Sequence, residues 1–154
     1  MDRDRAVVPI IETQRLRLRP FAASDAAGLH EAFGDAEAMR YWNVAPAQDL
    51  AVTAKNIEWL VNYSPYAHAS WAVTGRHDGR FVGMVNYHHR EARDRRLEIG
   101  YILVRRYWHQ GLASEAVSGL LRHCFETLRT HRVEAMIAPE NAASIRLVDS
   151  FFSH

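Results

Sequence analysis

The stretch Leu97-Glu-Ile-Gly-Tyr-Ile-Leu-Val-Arg-Arg-Tyr-Trp-His-Gln-Gly-Leu-Ala-Ser-Glu-Ala-Val117 sets the architecture of this chain. It reads as an apolar strand from Leu97 to Val104, a turn around Gly111, and a helix from Leu112 to about Leu128. A strand that feeds a glycine turn and a helix N-terminus is a ready anion site. Its unpaired N–H groups and the positive end of the helix dipole both face an incoming phosphate. That geometry is not specific by itself, so its meaning depends on what flanks it.

Upstream, residues 1–9 look like a loose arm, and Ile10 to Phe21 alternates as a first strand ended by Pro20. In that alternation Ile10, Leu16 and Leu18 share one side, and Ile11, Thr13, Arg15, Arg17 and Arg19 the other. Ser24 is positioned to cap a helix that Gly34 ends, and a further helix spans Leu50 to Val61. The loops at 43–49 and 62–69 are placed to carry substrate contacts or simply to connect. Ser70–Thr74 and Arg80–His89 form a hairpin around Gly75-Arg-His-Asp-Gly79. Downstream come a strand from Arg132 to Ala138, a break at Pro139, and a last helix from Ala142 to Phe151. The order is β-α-α-β-β-β-α-β-α. It predicts one mixed α+β (α/β) sheet flanked by helices, antiparallel at its centre, with a parallel pair across the Leu97–Ala138 strand–helix–strand unit.

The 154 residues suit one domain with a full core, 10–154 after the arm. The composition, 48% hydrophobic and 24% charged, is that of a globular chain, and a formal net charge of +1 supplies no field to select nucleic acid or a membrane. Lys55 is the only lysine; the arginine excess fits genome base composition as readily as phosphate contacts. The only cysteine, Cys124, cannot form an internal disulfide. It lies in an apolar helical stretch, which reads as a buried thiol in a reducing compartment, so a cytoplasmic location is expected. No window approaches the ~18 apolar residues of a membrane span.

Four pieces now stand in order: Glu12-Thr-Gln-Arg-Leu-Arg-Leu-Arg-Pro20 with Ser24-Asp25, the strand Leu97-Glu-Ile-Gly-Tyr101, the turn and helix Trp108-His-Gln-Gly-Leu-Ala-Ser-Glu115, and Asn141-Ala-Ala-Ser144. Together, over about Ile11 to Leu147, they resemble the GNAT superfamily of acetyl-CoA-dependent N-acetyltransferases, in its RimJ/RimL branch, which acetylates ribosomal-protein N-termini. The resemblance implies a pyrophosphate site on the backbone N–H groups of His109, Gln110, Gly111, Leu112, Ala113 and Ser114. The branch usually has glycine where this chain has His109. The resemblance further implies that Ile102, Leu103 and Val104 pair with the pantetheine arm, with an N–H there polarising the thioester carbonyl. Asn141 would hold the pantetheine, and Ser144 would protonate the leaving thiolate. An N-cap and first helical turn also account for Asn141 and Ser144. Arg105 and Arg106 are within reach of a phosphate or form a solvated pair.

Transfer to an amine needs a proton acceptor. Glu98 on the central strand is the leading candidate, with an ion pair to Arg95 or Arg96 as the alternative. His88 and His89 come next, and strict alternation turns only one of them to the cleft. No third ligand stands near that pair at useful spacing, so no metal is expected. Acetyl-CoA is the expected co-substrate and a small-molecule or peptide amine the expected acceptor.

By the same resemblance a Gly-Phe pair and two further strands would come after the last helix, whereas this sequence reads Asp149-Ser-Phe-Phe-Ser-His154. The expectation is a domain lacking its C-terminal hairpin, with Arg132–Ala138 as an unprotected edge and Phe151 and Phe152 short of a packing surface. Either a second chain in a homo-oligomer covers that edge, or the acceptor pocket is open and the enzyme compromised. A non-catalytic, CoA-binding GNAT domain is therefore the competing reading. A nucleotide-binding module is weaker, since neither a phosphate-loop lysine nor a dinucleotide fingerprint is present.

Overall fold

The computed structural model describes residues 8–42, 44–61, 68–135 and 141–152. Within them the chain forms β1 (Ile11–Glu12), β2 (Leu16–Arg19), α1 (Ala26–Phe33), α2 (Leu50–Val61), β3 (Ala69–Gly75), β4 (Phe81–Glu91), β5 (Arg96–Leu103), α3 (Leu112–Glu126), β6 (Arg132–Glu134) and α4 (Ala142–Phe152). The strands make one sheet in the order β1-β2-β3-β4-β5-β6. Neighbours are antiparallel except β5 and β6, which run parallel across α3. The mixed sheet with an antiparallel centre is therefore as the sequence predicts. The arm up to residue 7, residues 62–67 of the second loop and the expected strand residues beyond Ala135 lie outside the described residues.

The first strand is two strands. Thr13 folds the chain into a hairpin, its N–H donating to the Leu16 carbonyl (2.9 Å) and its Oγ1 accepting from the Leu16 N–H (3.2 Å). The turn shifts the phase of the alternation. Ile11, not Ile10, joins Leu16 and Leu18 in the core, while Ile10 is 60% exposed. Ser24 does not cap α1. It lies in a single 3-10 turn, Ala23–Asp25; Asp25 takes the N-cap position of α1 without a side-chain cap bond, its carboxylate instead accepting from the Ala22 N–H and from Arg19.

Trp71 of β3 anchors the core, fully buried, with its ring Nε1 donating to the Pro9 carbonyl (2.8 Å) and its ring against Tyr87 of β4 and His123 of α3. On α3, Ala116, Val117, Leu120 and Cys124 recur at helical spacing and are all buried, as an amphipathic helix on a sheet requires. His30 and Thr53 tie α1 to α2 through a 2.7 Å hydrogen bond. Phe151 is partly buried against the core, so the expectation that it lacks a packing surface does not hold. The side chain of Phe152 lies outside the described residues.

Two irregularities in β4 shape the site. At Gly83 a Cβ would come within 2.2 Å of the Ile102 carbonyl, so only glycine permits this closeness to β5. At the other end, β4 places three residue steps (His88 to Glu91) against two on β5 (Glu98 to Arg96), a one-residue β-bulge.

Candidate active site

β5 carries the central part of the site. β6 pairs with it only over Arg96–Glu98, so from Ile99 to Leu103 the flank on that side has no strand partner among the described residues. Backbone groups alternate along a strand, and the Val104 N–H donates to the Val82 carbonyl (2.9 Å). That bond fixes the phase: Ile102 and the Val104 N–H point to β4, the Val104 carbonyl accepts from the Tyr107 N–H (2.9 Å), and Tyr101 and Leu103 turn their N–H and C=O groups to the other flank. Of the three residues expected to pair with a ligand, only Leu103 turns both backbone groups to that flank, where its carbonyl already accepts from the Trp108 ring; Tyr101 shares the flank. The register set by Gly83 decides this, and the sequence of β5 does not carry it.

The turn after β5 is built as expected, with its reason now visible. A 3-10 turn at Arg105–Tyr107 reverses the chain, and the Trp108 ring Nε1 donates to the Leu103 carbonyl (3.0 Å). His109 (φ 63°) and Gly111 (φ 76°) both take left-handed backbone. Glycine is at ease there; histidine holds it at a cost of about 1 kcal/mol. The glycine usual in the branch at the position of His109 fits that conformation. α3 starts at Leu112 without a side-chain cap, so the N–H groups of Leu112, Ala113 and Ser114 are left for a ligand, backed by the helix dipole.

Arg105 and Arg106 do not face this turn as free cations: Arg105 binds Asp35 and Arg106 binds Glu31. Asp35 is held below the usual carboxylate range chiefly by that Arg105 bond. Gln110 is also committed, its carbonyl accepting from Arg15 (2.9 Å) and its amide donating to the Arg106 carbonyl (3.1 Å). Arg15 also binds Glu115 (2.7 Å), which further accepts from the Thr13 hydroxyl. This group clamps the β1–β2 hairpin onto α3. Burial alone would raise the Glu115 pKa, but the bonds from Thr13 and Arg15 outweigh it and hold it low.

α4 closes the third side. Asn141 Oδ1 accepts from the Ser144 N–H (3.1 Å), which makes it the N-cap; its Nδ2 takes no part in that bond. Tyr101 donates from its hydroxyl to Ser144 Oγ (2.6 Å). The phenol keeps its proton, since burial raises its pKa and only the Ser144 bond opposes that.

These parts surround one cavity of about 650 Å³. Its walls include Tyr101, Ile102, Leu103, His109, Gly111, Leu112, Ala113, Ser114, Asn141 and Ser144, which is most of the predicted set. Val104, Gln110 and Glu98 are not among its lining residues. Tyr101, Trp42, Arg40 and Arg146 are, and the sequence reading assigned them no role. Tyr101 stood inside a quoted motif, and alternation with Ile99 gave a signal; Trp42, Arg40 and Arg146 carried none.

Glu98 lies on the other face of β5 from Tyr101, opposite His88. Its expected Arg95 or Arg96 pairing is not what forms: Arg96 binds Glu91, and Glu98 Oε2 meets His89 Nδ1 (2.6 Å) and His88 Nε2 (3.1 Å). Both histidines thus reach one carboxylate. The bulge puts His89 in left-handed backbone (φ 51°) and breaks the alternation that would have turned it away. The His89 bond is the largest of the effects holding Glu98 below its usual range, while burial lowers the His88 pKa against the pull of Glu98. Glu98 is also the third donor missed beside the histidine pair, because it comes from the neighbouring strand. No helix among the described residues is long and apolar enough to cross a membrane.

Comparison with known proteins bears on the family and the fold. The family model described as an acetyltransferase (GNAT) domain matches residues 15–151. The uncharacterized N-acetyltransferase p20 of Bacillus licheniformis is 32% identical over 139 residues, covering 90% of this chain and 78% of that protein. The uncharacterized N-acetyltransferase YoaA of Bacillus subtilis (strain 168) is 29% identical over 141 residues, covering 91% and 80%. In fold, the chain superposes on a GNAT-family acetyltransferase from Bacillus anthracis with a TM-score of 0.83 at 24% identity, covering 94% of this chain and 82% of that one. It superposes on RimL, a ribosomal L7/L12 alpha-N-protein acetyltransferase, with a TM-score of 0.77 at 18% identity, covering 94% and 84%. The open flank of β5, the uncapped start of α3 and the family match over nearly the whole chain lead to one assignment: the chain belongs to the GNAT acetyltransferase family.

Proposed function

We propose that the protein transfers an acetyl group from acetyl-CoA to a primary amine, by direct attack of the amine on the thioester. The observation that carries this reading is the convergence, on one cavity, of three N–H groups at the start of α3, the free flank of β5, and the Asn141–Ser144 turn.

In this reading the residues divide the work by chemistry. The Leu112, Ala113 and Ser114 N–H groups take the pyrophosphate, with His109 and Gly111 bending the chain around it. The Leu103 N–H and the Tyr101 backbone pair with the pantetheine arm. An N–H there polarises the thioester carbonyl, a donor of a kind worth ~3 kcal/mol. Asn141 offers Nδ2 to the arm while its oxygen caps α4. Ser144 gives its hydroxyl proton to the departing thiolate, and Tyr101, bonded to Ser144 Oγ, resupplies it. The proton from the attacking amine leaves through water to Glu98.

The acceptor that fits this equipment best is an N-terminal α-amine. Such an amine, with a pKa near 8, is partly neutral at cellular pH, whereas lysine at ~10.4 must give up about 4 kcal/mol. RimL, named for acting on a ribosomal protein's α-amine, shares the fold and supports the same class. The test is thiol release from acetyl-CoA with a panel of peptides and small amines, with product mass read in parallel. A rise in mass by one acetyl group on a peptide α-amine supports the reading. Tight CoA binding without turnover on any acceptor sinks it.

A further inference from the structure

His88, His89 and Glu98 form the one group of His, Cys, Asp and Glu side chains among the described residues whose donor atoms could share a metal ion. All three ligand atoms lie within 4.8 Å of one another. A tetrahedral ion with bonds of about 2.0–2.1 Å needs donors about 3.3 Å apart. The His88 Nε2 to Glu98 Oε2 separation, 3.1 Å, is already close to that spacing. The His89 Nδ1 to Glu98 Oε2 contact, 2.6 Å, needs only a small opening, and the His89 side chain, 77% exposed, has room to make it.

Two further features match what metal-binding imidazoles require. Asn86 Oδ1 stands 3.3 Å from His88 Nδ1, so with Nδ1–H donating to that oxygen, the Nε2 lone pair faces Glu98 Oε2. A lone pair facing a carboxylate oxygen calls for a cation between them, and a carbonyl behind the ring is the usual outer partner of a metal-bound histidine. The second feature is the bulge. A strand without it would send His88 and His89 to opposite faces; the extra residue and the left-handed His89 bring both rings to one carboxylate.

From this geometry we infer that His88, His89 and Glu98 bind a divalent transition ion of the zinc class, with solvent completing the coordination. Two imidazoles and a carboxylate suit that class and not magnesium or calcium, which take oxygen ligands. The ion is not needed for the acyl transfer proposed above. It occupies Glu98, and so it slows the transfer; that consequence rests on the reading of Glu98 as proton acceptor, whereas the binding does not.

The experiment uses the full chain without an affinity tag. Calorimetry with Zn²⁺ is expected to show one saturable site per chain, and Co²⁺ to give visible bands of tetrahedral intensity. H89A, at an exposed position, should abolish the Co²⁺ bands and weaken Zn²⁺ by more than about 10-fold; N86A should weaken it by about 10-fold through loss of the outer partner. Metal-free melting curves that match between wild type and H89A show that the fold is retained. Absence of binding, or Zn²⁺ affinity unchanged in H89A and in E98Q, overturns the assignment. These readouts need no acceptor, so they stand or fall apart from the acetyltransferase reading. If Zn²⁺ binds at this site and leaves the acetylation rate unchanged, the metal site holds and the role of Glu98 as proton acceptor fails.

Discussion

The Tyr101 hydroxyl donates to Ser144 Oγ across 2.6 Å, joining the middle of the central strand to the first turn of the last helix. The bond spans 43 positions of sequence and leaves the serine's own proton free to point into the cavity. Both residues are half-buried, and in the proposed reaction the pair serves as proton donor and reserve.

If that pair protonates the departing thiolate, S144A lowers kcat by about 100-fold and Y101F by about 10-fold, within the usual worth of a general acid. The acetyl-CoA KM should change little in either variant. Steady-state thiol release gives both constants. A change confined to KM would show that the pair only packs against the cofactor.

The left-handed backbone at His109 and Gly111 gives opposite expectations for two substitutions. H109G removes a strained conformation and should raise unfolding free energy by about 0.5–1 kcal/mol. G111A should lower it by about 1 kcal/mol, since its Cβ meets only Arg15 Nη2, at an ordinary 3.4 Å, and the cost is backbone strain. Urea unfolding measures both.

Glu115 fixes the sign of an acid effect. Its pKa in the fold lies below the unfolded value of about 4.3, so the stabilisation it gives is present above that pH. It is lost as pH falls through the lowered folded value. E115Q should therefore cost about 1–2 kcal/mol at neutral pH, from bonds to Thr13 and Arg15. The gap between wild type and variant should shrink as pH falls below the unfolded value and through the lowered folded one. Parallel urea titrations across that range decide it.

Cys124 is fully buried, and burial pushes its thiol up to about 12. Native protein should resist iodoacetamide at neutral pH and react only after unfolding, because the thiolate is the nucleophile. C124A should keep kcat within about twofold, as direct attack by the amine requires no enzyme thiol. Intact mass after labelling, together with the C124A rate, checks both statements.

Features that the chain discloses locally came through well. The period-2 run of β5, the glycine turn and the 3.6-period stripe of α3 are signals carried by neighbours in sequence, and they located the strand, the turn at Gly111 and the helix that follows. The same holds for the β3–β4 hairpin and for α2. The order of elements, the mixed sheet and the family were all legible from residues read one after another.

Which groups face the site was settled only by long-range packing. Alternation predicts sides only while pairing stays in register, and both departures from it arise between strands. The Thr13 turn moved Ile11 into the core in place of Ile10, and the bulge at His89 gathered two imidazoles on Glu98. Register with Gly83 chose Tyr101 and Leu103 over Ile102 and Val104 for the open flank. Arg105 and Arg106, which the sequence left between phosphate and solvent, were claimed by Asp35 and Glu31. Each of these outcomes depends on pairing between separate segments of the chain. No local pattern records such pairing, because cross-strand register and long-range ion pairs are fixed only when the whole sheet closes.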